Sequence, residues 1–133
     1  VLKLKEFNQK QMLESILKIN INKENPDYTV IDFQGNLDSF GLSERRKELV
    51  FAVDECEKKY LVFNFSELDY INSESIGMLL QFNEQMMKKN QKLVLVSAKK
   101  NVIDVLTVIG LLETVPYYQS LDEFLSSGKK DAN

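Results

Sequence analysis

The sequence predicts an α/β fold: a single domain built on a mixed β-sheet of about five strands, with helices packed on it. Three observations carry that expectation. Apolar runs of strand length alternate with segments of helical periodicity from Tyr60 onward. The first two strand-like runs are joined by Asn22–Asp27, NKENPD, which is turn chemistry, so the chain opens on a hairpin. A length of 133 residues with 44% hydrophobic content suits one core. A hairpin followed by strand–helix alternation implies strands of mixed direction joined by right-handed crossovers.

The elements follow in order. Residues 1–12 read as a polar N-terminal extension, residues 13–125 as the domain and residues 126–133, SSGKKDAN, as a flexible tail. Ile16–Ile21 alternates apolar and polar residues, the pattern of a half-buried strand. Tyr28–Gln34 is a second strand, closed by Gly35-Asn36. From Leu42 to about Lys59 the residues Leu42, Leu49, Val53 and Cys56 lie along one helical face, with Ser39 or Ser43 available as cap. Tyr60–Phe65 is a third strand, and Leu61, Val62, Phe63 and Phe65 have the continuous apolarity of a strand covered on both faces. A second helix runs from near Ser75 to Lys89, and Lys92–Ser97 is a fourth strand. Asn101–Ile109 is a third helix with Val102, Val105, Leu106 and Ile109 inward, ended by Gly110 with Leu111 packed behind it. Thr114–Tyr118 is a short fifth strand placed at an edge by Pro116, and Leu121–Leu125 a last helix capped by Ser120.

Composition removes several classes of chemistry. The chain has no histidine, which excludes Ser-His-Asp and Cys-His nucleophile systems, histidine metal ligands and phosphohistidine relays. Glu74-Ser75-Ile76-Gly77 mimics the second half of a nucleophile elbow, but Ser73 stands where the preceding glycine belongs. One cysteine, Cys56, excludes an internal disulfide and a multi-cysteine zinc site, and its helical setting suits a small packed residue. The five glycines are isolated from one another, so no phosphate-cradling loop is present. No metal and no cofactor are expected. The net charge is −3 and the lysine doublets fall at element ends, which argues against a nucleic-acid surface. No apolar run approaches the roughly 18 residues of a membrane span, and no segment has the build of a signal peptide. A cytoplasmic location is expected.

The most informative stretch is Leu61–Leu80, where a buried strand passes through a short loop into an amphipathic helix. Asn72, Ser73 and Ser75 stand where loop becomes helix. Such residues commonly serve as caps, worth roughly 1 kcal/mol. The same helix end carries unpaired N–H groups and about half a positive charge, so it accommodates an added anion such as a phosphoryl group. On a helical wheel Ile76, Leu79, Leu80 and Met87 face inward, while Ser75, Met78 and Phe82 lie roughly 100–160° away. This makes Met78 and Phe82 candidate anchors for a partner beside the loop. The competing reading is a broadly buried helix in which both belong to the core.

In that order and spacing the chain resembles the STAS domain, and in particular the bacterial anti-sigma-factor antagonists. Gly35-Asn36-Leu37-Asp38 is similar to the family's Gly-x-Leu-Asp turn. Phe63-Asn64-Phe65 with Leu68, Tyr70, Ile71, Asn72 and Ser73 resembles its third strand and acceptor loop. Ile76-Gly77 matches its Leu-Gly, and Val102, Leu106, Gly110 and Leu111 match the end of its third helix. The resemblance implies a non-enzymatic regulator that binds an anti-sigma factor, itself a serine kinase. Phosphorylation of the loop serine breaks that complex, and a cognate phosphatase resets it. By position Ser73 is the phosphoacceptor, Asp38 is the acidic residue of the neighbouring turn, and Asn72, Glu74 and Ser75 flank the switch.

The family pattern Asp-Ser-Ser/Thr-Gly is here Asn72-Ser73-Glu74-Ser75. Glu74 would repel a phosphate on Ser73 by roughly 1–3 kcal/mol before screening. Besides the switch, the resemblance therefore leaves open a constitutive scaffold in a signalling or lipid-transport assembly, with Glu74 supplying a permanent charge. It also leaves open a small-molecule or nucleotide-binding module.

Overall fold

The structure, a computed structural model, describes the backbone of residues 17–131 and the side chains of residues 17–127. Its elements are β1 (Lys18–Asn22), β2 (Tyr28–Leu37), α1 (Ser39–Asp54), β3 (Tyr60–Ile71), α2 (Ser73–Lys88), β4 (Lys92–Val96), α3 (Lys100–Ile109), a 3-10 turn (Leu111–Glu113), β5 (Tyr117–Tyr118) and α4 (Leu121–Asp131). The five strands form one sheet in sequence order. β1 pairs antiparallel with β2, as the hairpin pattern predicts, and the other pairings are parallel. The mixed α/β sheet expected from the sequence is the fold observed. The residue 1–12 extension and the start of the first strand at Ile16 lie outside the described residues.

Alternation along the strands divides the core in two. Ile31, Phe33, Leu61, Phe63, Phe65, Leu93 and Leu95 face α1, α2 and α3, whose Leu42, Leu49, Val53, Ile76, Leu79, Phe82, Val102 and Leu106 complete the main cluster. Phe33 packs its ring against Phe63 and Phe65, and Phe63 against Phe82. On the other face Tyr60, Val62, Val94 and Val96 meet Phe124 of α4. β3 is thus covered on both sides, the reason for its unbroken apolar run.

Several boundaries differ from the sequence reading. β2 continues to Leu37 and β3 to Ile71, past Gln34 and Phe65, because the two pair along their whole length. Register shifts at Asp32/Gln34 and Gly35/Asn36 interrupt the period of two, and Gly35 takes φ 109° there, so the alternation that marks a strand is lost from the sequence. α1 ends at Asp54, so Cys56 lies beyond it rather than within it. The last carbonyls are met from a distance: Lys89 Nζ donates to the Val53 and Asp54 oxygens at 2.7 and 3.1 Å, and to that of Cys56 just beyond the helix at 3.3 Å. Gly110 does end α3, at φ 84°, with Leu111 buried behind it. Ile109, expected inward, is half-exposed because the chain turns away at that glycine. Ser120 Oγ accepts from the Glu123 amide at 3.0 Å, the expected cap. α4 then runs to Asp131, into the residues expected as tail, since Gly128 weakens a helix without breaking it.

Candidate functional site

The parallel pairing of β2 and β3 reaches its last register at Leu37–Ile71, and each strand passes straight into a helix. Two helix N-termini therefore stand side by side at the C-terminal ends of β2 and β3. Their turns are near copies. Asp38 (φ −112°, ψ −174°) caps α1 by accepting from the Gly41 amide at 2.8 Å, and Asn72 (φ −110°, ψ 172°) caps α2 by accepting from the Ser75 amide at 2.9 Å. Asp38 is thus the α1 cap in place of the expected Ser39 or Ser43. Its neighbour Ser39 and the corresponding Ser73 are both the first helical residue, and both are exposed.

Five further contacts join the two strand–helix units. The Leu37 carbonyl accepts from the Asn72 amide at 3.2 Å and from Ser75 Oγ at 2.8 Å. Ser75 is fully buried, so its hydroxyl locks α2 to β2 and takes no part in the surface. Ser39 Oγ donates to Glu74 Oε2 at 2.6 Å and accepts from Asn72 Nδ2 at 3.4 Å, while Arg46 Nη2 lies 3.9 Å from Glu74 Oε1. The β2–α1 turn itself leaves no room at Gly41, where a Cβ would run into the Asn36 carbonyl oxygen and press on Leu17. At the far side Asp69, three residues before the Asn72 cap, pairs with Lys99 and accepts from Asn101 through its carbonyl. That hydrogen bond to Asp69 raises the Lys99 ammonium above its usual range.

The surface around Ser73 is not the one read from the sequence. Met78 and Phe82, expected to be partly exposed anchors, are each 3% exposed and belong to the core. Leu80 and Met87, expected inward, are 37% and 61% exposed. The buried face of α2 is rotated from the expected one because the helix is buried against two surfaces. Its sheet-facing residues include Leu79 and Phe82, and the contact of Glu74 with Ser39 and Arg46 puts α1 over the side on which Met78 lies one turn later. The exposed stripe that starts at Ser73 continues through Gly77, Leu80, Glu84 and Met87. Phe40, two residues past the Asp38 cap, and Tyr70, two residues before the Asn72 cap, are exposed aromatics at the same strand ends.

Of the residues expected here, Asp38, Asn72, Ser73, Glu74 and Ser75 come together. Ser39, Gly41, Arg46, Phe40 and Tyr70 were not expected. For Ser39 alone the sequence carries a signal: Asp38-Ser39 and Asn72-Ser73 share the order of a cap followed by serine. The site offers an exposed hydroxyl at the positive end of a 16-residue helix and a polar clasp to its neighbour. Among the described residues no cluster of acidic or sulfur side chains is arranged to hold a metal, and no helix is long and apolar enough to cross a membrane.

Comparison with known proteins agrees with this architecture. The profile of the STAS domain matches residues 20–124. BtrV of Bordetella bronchiseptica, classed as a candidate anti-sigma factor antagonist, is 30% identical over 87 residues, covering 65% of this chain and 74% of its own. The crystal structure of an anti-sigma factor antagonist from Mycobacterium paratuberculosis superposes with a TM-score of 0.73 at 18% identity, over 85% of this chain and 94% of that one. The anti-sigma factor antagonist SpoIIAA in its unphosphorylated form gives 0.69 at 17% identity, over 85% and 97%. These two likenesses are of fold.

Proposed function

The chain belongs to the STAS domain family, and from that membership we propose that it is a non-enzymatic, protein-binding switch of the anti-sigma-factor-antagonist type, with Ser73 as its phosphoacceptor. Its partners are then an anti-sigma factor with serine kinase activity and a cognate phosphatase, and its place of action is the cytoplasm. The observation that carries the reading is the position of Ser73: exposed, first in α2, beside a cap that holds the helix end open to an anion. The exposed stripe of Gly77, Leu80, Glu84 and Met87, with Phe40 and Tyr70, supplies the surrounding contact area in place of Met78 and Phe82.

Phosphorylation puts nearly two negative charges on Ser73, which the backbone amides of α2 partly compensate. The fold therefore stays intact, and the loss falls on the interface, where the charge must be desolvated. Such breaks in complementarity cost about 2–5 kcal/mol, or roughly 30- to 4,000-fold in affinity. Pull-down with wild-type and Ser73→Asp baits identifies the partner, and calorimetry at one salt concentration measures it. Ser73→Asp should bind within that range more weakly, and Ser73→Ala close to wild type. Equal affinity for all three sinks the switch. One feature favours a second reading, a constitutive scaffold: the Glu74 carboxylate directly after Ser73 is itself an anion at the helix start. Equal affinities would select that reading.

A further inference from the structure

Glu74 adjoins Ser73 in sequence, yet its carboxylate is bound to a different helix. Ser39 Oγ donates to one oxygen at 2.6 Å and Arg46 stands 3.9 Å from the other. Around the α2 axis Glu74 is displaced by about 100° from Ser73, and these bonds hold it on the α1 side. We propose that Ser39 is a positioning residue for the Ser73 site: it keeps the Glu74 carboxylate turned toward α1 and so sets the electrostatic surroundings of a phosphoryl group on Ser73. The inference rests on Ser73 being the acceptor, and it concerns the regulation of that same site.

Without the Ser39 hydroxyl, the Glu74 side chain loses its shorter tether and keeps only the looser approach of Arg46. A free glutamate next to a phosphate samples positions nearer to it, and repulsion grows as the distance falls. The clasp thus lets a carboxylate, which favours the helix N-terminus, coexist with a second anion one residue away. Asn72 takes part as well, since the cap of α2 donates to the same Ser39 oxygen. Among the described residues the charged groups around the two helix starts include Asp38 of the β2–α1 turn, Arg46 of α1 and Glu74 of α2, with Asp69 and Glu67 of β3 beside Lys99 at the far side.

The test uses full-length protein carrying phosphoserine at position 73, introduced during translation, and follows the second phosphate ionisation by 31P NMR. Ser39→Ala should move that ionisation upward by ~0.1–0.3 unit, the direction expected when a carboxylate gains access to positions nearer the phosphate at a high effective dielectric constant. Ser39→Thr, which keeps the hydroxyl, should restore the wild-type titration. In a Glu74→Gln background Ser39→Ala should have no effect. Ser39 is exposed, and circular dichroism of each variant checks that the fold is kept. An unchanged titration in Ser39→Ala, or the same shift in the Glu74→Gln background, overturns the clasp. No partner is needed for this measurement. A protein that passes it but shows no partner response to Ser73 variants has the clasp without the switch, so the two failures are distinct.

Discussion

Two glycines in the helices beside the site illustrate how much a single Cβ decides. In a helix interior, replacing glycine by alanine gains up to about 1 kcal/mol. Gly77, exposed on α2 with open space around it, should show that gain. Gly41, in the first turn of α1, should not: its added methyl meets the Asn36 backbone oxygen, which cannot move without shifting β2. Gly41→Ala should destabilise by about 1–3 kcal/mol, the usual cost of overpacking. Urea unfolding of the two variants checks the opposite signs. The two caps carry a matching expectation. Asp38→Ala and Asn72→Ala should each cost about 1 kcal/mol, and Asn72→Asp should retain the cap, since a carboxylate oxygen accepts from Ser75 N–H equally well. Wild-type stability in both alanine variants would count against the capping geometry.

Within the elements, α2 has the most to show. Its buried arc takes in Met78 and Phe82, so Phe82→Ala should cost about 3–5 kcal/mol and Met78→Ala about 2–5 kcal/mol. Leu80→Ala and Met87→Ala, on the exposed stripe, should stay within about 0.5 kcal/mol of wild type while weakening partner binding. Stability by chemical denaturation and affinity by calorimetry separate the two pairs. A stable Phe82→Ala variant that loses only binding would reverse the assignment. Amphipathic spacing in α2 was legible in the sequence, but its phase was not. Met, Leu, Ile and Phe occupy so much of the circumference that several rotations bury similar apolar area, and α1 selects one of them by packing on the Met78 side. The ends of β2 and β3 were hidden for a different reason: two register shifts space the buried residues Phe65, Leu68 and Ile71 three apart, in place of the period of two that identifies a strand.

For the molecule as a whole, pH provides a test of how the last strand is held. Tyr117 Oη accepts from the Ala98 amide at 3.0 Å, joining β5 to the turn after β4. Burial raises its phenol above the usual range, the Ala98 hydrogen bond opposes this, and Glu123 adds to the rise. The folded state thus holds the phenolic proton more tightly than the unfolded chain. The contribution is fully present below about pH 10, the unfolded value, and is lost as pH rises through the higher folded value. Stability measured by urea unfolding should fall across that window, and Tyr117→Phe should flatten the fall. The same variant should cost about 1 kcal/mol at neutral pH, because the Ala98 N–H loses its acceptor. An identical alkaline slope in both proteins would remove Tyr117 as its source. Domains of this size have total stabilities of about 5–15 kcal/mol, so Phe82→Ala removes a large fraction and Ser73→Asp should leave the melting temperature nearly unchanged.

Local chemistry was sufficient for the order of the elements, the opening hairpin, the α/β class, the glycine stop after α3 and the placing of Ser73 at a helix start. Each depends on residues within a few positions of one another, through turn propensity, capping and apolar periodicity. The bond from Ser39 to Glu74, the buried bond from Ser75 to Leu37 and the exposed stripe of α2 depend on pairs more than 30 residues apart or on which neighbour a helix meets. Those arise when parallel pairing carries β2 and β3 to a common end and sets two helix N-termini side by side. Sequence periodicity reports how much of a helix is apolar, but only the packed neighbours determine which side is covered.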